Sequence, residues 1–202
     1  MKYLFLLSFL CTKYTAVLAQ PVTVNIEYTV NILNSNEKLI FYNPAELLTV
    51  AAFAGDTDTN SAAVAITSSG FAFKAGFKNA GGKAILNIKV YCSFDKQMSW
   101  MKLNGKNAYI MQHEQQHFNI SYLGAMDFMH QLKDATFTTD NYNKLIQTLY
   151  NQSSIFMEDL QQAYDSETHN GILKDRQQYW NEKINKRLAS LSSEINLSTG
   201  KR

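Results

Sequence analysis

ILNIKVYCSF, residues 85–94, sets Leu86, Ile88, Val90, Cys92 and Phe94 in alternation with Asn87, Lys89, Tyr91 and Ser93. A period of two marks a strand with one buried face and one wetter face. The run before it, FAFKAGFKNAGGKA from Phe71 to Ala84, reads as a partner strand closed by a turn at Gly81 and Gly82. Further upstream, VTVNIEYTV and LIFYN are short β-branched and aromatic runs bounded by Asn and Pro. The chain up to about Gly105 is therefore predicted to form a mainly antiparallel β-sheet.

Downstream of Gly105 the period changes from two to nearly four. From about Asn107 to Leu132 there is no Pro and one Gly, and Ile110, Phe118, Leu123, Met126 and Met129 recur at helical intervals. A second helix is predicted from Thr139 or Asp140, either of which can cap it, through Leu145, Leu149, Phe156 and Leu160 towards His169, with Gly171 as its stop. A third is predicted from Ile172 to Leu191, with Leu173, Trp180, Ile184 and Leu188 on one side. No repeat, linker or low-complexity block interrupts the pattern, so the expectation is a single α+β domain.

The 202-residue chain starts with Lys2, an apolar run YLFLLSFL and a small-residue end AVLAQ. Residues 1–19 read as a secretory signal peptide cut after Ala19, because the apolar run is short for a membrane span. Lipoprotein processing at Cys11 is disfavoured by Leu10, which stands where a small residue is expected. Cleavage would leave residues 20–202 as the mature domain, periplasmic or secreted. The 19 Lys and Arg, less Lys2 and Lys13, then balance the 17 Asp and Glu. That neutrality gives no reason to expect nucleic acid or an anionic membrane as partner. Cys92 would be the only remaining thiol, so no internal disulfide can form. With its place on the apolar face of its strand, it reads as a buried small hydrophobe.

HEQQHFNI, His113 to Ile120, carries the chemistry. Residues i and i+4 lie on one helical face, so His113 and His117 can offer two imidazoles to one ion. Glu114 lies about 100° around the helix and can act as general base on a zinc-activated water. A third ligand must come from elsewhere. Ile120 and Leu123 stand where the metzincin pattern needs Gly and His, so that class is excluded. His130 is about 220° around the helix from His117. Glu158 and Glu167 have no distinguishing context. The stretch YDSETHNG, residues 164–171, is the better source. His169 is the expected third ligand and Asp165 its main rival, since zinc accepts either donor. Asp165 can alternatively accept a ligand's ring N–H from outside the coordination sphere. Tyr164 is a candidate donor to an oxyanion.

These segments together resemble a family of bacterial exported proteins, classed as a domain of unknown function and described as zinc-dependent proteases of the HExxH type. The likeness runs in order through LTVAAFAGDTDTNSAAVAITSSGFAF, VYCSFDKQMSWMK, HEQQHFNI, YDSETHNG and QQYWNEKI. It implies His113 and His117 as ligands, Glu114 as catalytic, and Tyr164, Asp165, Thr168, His169 and Gly171 as the downstream part of the site. Gln116 departs from the small residue expected there, and Asn170 from a common second His.

The expectation is an exported zinc metallopeptidase acting on a peptide or protein substrate, with no stable membrane insertion. The alternative is a non-catalytic envelope protein or binding module with a structural metal. Residues 84–94 are a candidate strand for pairing with an extended substrate, although an ordinary sheet strand is the commoner case. Trp100 and Trp180 read as core anchors. Of the sequons at Asn119, Asn151 and Asn196, the first falls inside the metal helix and would be a poor acceptor.

Overall fold

The computed structural model describes residues 20, 22–30, 37–80 and 82–199. Residues 1–19, and with them the signal-peptide reading, lie outside the described residues. The architecture is α+β: a sheet from the N-terminal half is followed by three helices.

The alternating stretch lies within the central strand. Strands β4 (Ser69–Ala80) and β5 (Lys83–Asp95) form the expected hairpin, with Phe71 opposite Cys92 and Phe77 opposite Leu86. Gly82 turns it with φ +75°, a backbone conformation that glycine adopts without steric cost. Leu86, Ile88, Val90, Cys92 and Phe94 are at most 1% exposed, as their period demands. Burial also pushes the Cys92 thiol well above its usual range, so it behaves as the inert hydrophobe its position suggested.

The other edge of β5 differs from the expectation. Strand β1 (Val22–Tyr28) pairs with it in parallel, Val22 opposite Ala84, while β2 (Leu39–Phe41) pairs antiparallel at its far end. The sheet is therefore mixed. Because β4 occupies one edge of β5 and β1 and β2 the other, residues 84–94 have no free edge to offer a substrate. Separately, among the described residues, β3 (Ala65–Ile66) pairs with β6 (Trp100–Met101) alone.

Helix α1 (Ala108–Asp134) starts where Asn107 accepts the N–H of Ile110 on its side chain. It is buried on almost every side, because β4 and β5 pack on one flank and α2 (Tyr142–Thr168) and α3 (Lys174–Thr199) on the other. Its polar residues are accordingly paired. Gln115 accepts the N–H of Leu48 and donates to Asn119, which also accepts from the Tyr42 hydroxyl. Gln116 accepts from Asn119, so its larger side chain is built into this network. Asn119 is only 6% exposed, in line with its being a poor glycosylation acceptor. At Gly124, a Cβ would stand 2.9 Å from Cβ of Met157 and 3.0 Å from the Phe71 ring, so the helix pair and sheet meet too closely there for any side chain.

Helix α2 starts later than expected, after Asn141 rather than Thr139 or Asp140. It runs back along α1 and stops in three consecutive left-handed residues, His169, Asn170 and Gly171. The chain reverses there in two steps. The N–H of Asn170 caps the carbonyl of Asp165, and the Thr168 hydroxyl accepts the N–H of Gly171. Trp180 of α3 is 1% exposed against Tyr164, as a core anchor should be, whereas Trp100 is half-buried beneath Lys102. Among the described residues, no helix is long and apolar enough to cross a membrane.

Candidate metal centre

Two antiparallel helices bring the donors together. Nε2 of His113 and Nε2 of His117, one turn apart on α1, stand 3.2 Å from each other. From α2, Oδ1 of Asp165 lies 3.3 Å from the first and 3.0 Å from the second. These are the donors of the possible metal-binding triad found among the described residues. Tetrahedral bonds of about 2.0–2.1 Å would separate donor atoms by roughly 3.3–3.4 Å, close to what is observed.

Their protonation follows from the groups behind them. Nδ1 of His117 lies 2.5 Å from Oε1 of Gln161, and the orientation of that amide is set because its nitrogen donates to the carbonyl of His117. A carbonyl only accepts, so Oε1 faces the ring and Nδ1 must carry the hydrogen. Nδ1 of His113 likewise meets Oε1 of Gln177 at 2.7 Å. The Gln177 nitrogen donates to Asn181 and to the Tyr164 hydroxyl, and that hydroxyl donates to the carbonyl of His113. In the neutral rings both Nε2 atoms are therefore bare. With the rings neutral, their lone pairs converge with Oδ1 of Asp165, which is buried and has no hydrogen-bond donor among the described residues. Such a convergence of lone pairs is unfavourable unless a cation sits among them, and ring N–H groups held by carbonyl oxygens are the usual support of metal-binding histidines.

The electrostatics agree. Burial works to raise the Asp165 carboxyl, but the two imidazoles outweigh it and hold the group well below the usual carboxylate range. Burial lowers the His117 imidazole, yet the Asp165 and Glu114 carboxylates prevail and raise it. Both shifts describe a point that attracts positive charge.

Glu114 is not among the three donors. It is 4% exposed, and its Oε2 accepts the Thr67 hydroxyl at 2.7 Å. It shares with His113, His117 and Asp165 the wall of a cavity of about 740 Å³, a volume usual for ligand sites.

Two expected roles are not matched by this geometry. His169 is exposed at the left-handed cap of α2 and does not join the cluster. The helix ends just where a further turn would have been needed to carry it inward. Asp165, the rival donor, takes the place instead. Tyr164 is 0% exposed and is absent from the cavity wall. It stacks on the His113 ring at 4.8 Å and 20°, so it supports that imidazole and is not placed to meet an oxyanion. Gly171 is needed for a related reason: a Cβ there would come within 3.1 Å of Nδ1 of His113, and its φ is +81°.

Three contributors were missed in the sequence. Gln161 precedes Asp165 by four residues, so the same i, i+4 rule that paired the histidines was available to find it. Thr67 and Gln177 carry no local signal. Comparison with protein-family models, with curated proteins and with solved structures finds no match to this chain.

Proposed function

We propose that the protein is an exported zinc-dependent metallopeptidase. The observation that carries this reading is the convergence of two bare imidazole nitrogens and one orphaned carboxylate oxygen at the wall of a cavity that Glu114 also lines. His113, His117 and Asp165 would hold the zinc, which would supply a Lewis acid to polarise a carbonyl and bring the acidity of water near neutrality. Three protein ligands suit a catalytic site; a structural zinc calls for a fourth.

The chain's own groups provide the rest. With Oε2 held by Thr67, Glu114 keeps Oε1 to take a proton from the attacking water and return it to the departing amine. The cavity's Ser69 hydroxyl and its Gln161 amide are already bonded, and Asn170, which also lines the cavity, offers an amide donor for the carbonyl oxygen. An extended peptide has an edge to lie against in residues 62–67, which line the cavity. The carbonyl of Val64 accepts from Lys102 on the β6 side, so the N–H and C=O of Ala65 point the other way. Export rests on the reading of residues 1–19.

The test is metal analysis joined to peptide hydrolysis. The purified protein is expected to hold one zinc per chain and to cleave a peptide mixture. A chelator should abolish cleavage and added zinc restore it. One zinc without cleavage would leave the binding-module reading, and iron in preference to zinc would point to the oxidative chemistry that two histidines and a carboxylate also serve.

Replacing Gln161 or Gln177 with Leu should lower zinc affinity about 10–100-fold while the fold survives, because each holds a ligand's tautomer. Competition with a coloured chelator reads this, and unchanged affinity in both variants would remove their orienting role.

A further inference from the structure

The walls of the cavity say which part of a peptide it can hold. Among the described residues, no lysine or arginine lines it, and the carboxylates that do are Glu114 and Asp165. Both of those acids are committed, one to the base role and one to the metal. An enzyme that trims chain ends must hold a charged terminus: a cation for the α-carboxylate, or a spare carboxylate for the α-ammonium. Without such a partner, bringing a terminal charge out of water is costly. Of the lysines on flanking elements, Lys102 places its ammonium on the carbonyl of Ser61 and Lys174 its own over the Tyr109 ring.

What the cavity does offer is apolar. Val64, Ile66, Ile110, Met157 and Ile172 line it, and Ile66 and Ile172 are 40% and 75% exposed. Aliphatic groups left wet beside a chemically equipped cavity gain when an apolar side chain covers them.

We infer that the site takes the interior of a chain, with apolar side chains flanking the bond to be cut: the protein is an endopeptidase and not a trimmer of ends. This rests on the peptidase reading above and adds the substrate class.

The test uses short peptides in matched sets, each with a central pair of Leu, Val or Phe, or of Asp or Lys, and each with free or with acetylated and amidated ends. The zinc-loaded protein is expected to cut the apolar peptides internally with equal kcat/KM whether the ends are free or blocked, and to cut the charged ones at least about tenfold less well. Release of single residues from free ends only, seen by mass spectrometry, would overturn the inference. Binding to the zinc-loaded Glu114→Gln variant is measured by calorimetry in parallel. Tighter binding of blocked apolar peptides than of charged ones supports the part of the inference that concerns what the site holds, the apolar interior of a chain, even where the wild type cuts nothing, an outcome that would count against cleavage and the peptidase reading. Failure of every blocked peptide to bind would overturn it.

Discussion

Exchanging Asp165 for Ala is expected to lower zinc affinity by well over the roughly 10–100-fold that loss of a supporting partner costs, because the carboxylate is itself a donor. His169→Ala should leave the metal in place. The fold should survive Asp165→Ala, since the residue is half-buried and lies in the last turn of α2, where it contacts the two imidazoles and anchors no core packing. Zinc per chain by elemental analysis, with chelator competition, separates the two positions. Retention in Asp165→Ala together with loss in His169→Ala would return the third ligand to the histidine and refute the geometry described above.

Replacing Glu114 with Gln should reduce kcat by about 10²–10⁴-fold, or roughly 3–5 kcal/mol of barrier, with zinc content unchanged. The substitution keeps the shape of the side chain and leaves an oxygen that can still accept the Thr67 hydroxyl. What disappears is the proton acceptor. A variant that kept its zinc and hydrolysed peptides at the wild-type rate would remove Glu114 from the chemistry. Loss of zinc would instead make it a ligand, against its place outside the three-donor cluster.

Much of this was readable because it depends on neighbours close in sequence. Alternation over residues 85–94 exposes one strand face to the core whatever the sheet order, and Gly82 can turn a hairpin wherever the hairpin sits. The i, i+4 spacing puts His113 and His117 on one face of any helix that contains them. The sequence alone thus determined the α+β division, the β4–β5 hairpin, the long buried helix and two of the three donors.

Other features depend on chain segments that meet only after folding. The parallel pairing of β1 with β5 joins residues far apart in the chain, and no local pattern encodes which edge a strand takes. That pairing, with those of β2 and β4, also leaves β5 without a free edge. The choice between Asp165 and His169 turned on four residues of α2, one helical turn of about 5.4 Å. Both types of side chain suit zinc, so composition could not decide. The rotation of α2 against α1, and the left-handed turn that ends α2 at His169, decided it. Tyr164 moved from an expected oxyanion donor to a buried support, and Thr67 and Gln177 entered the site, for the same reason: only tertiary packing determines which side of a ring or carboxylate a distant residue will touch.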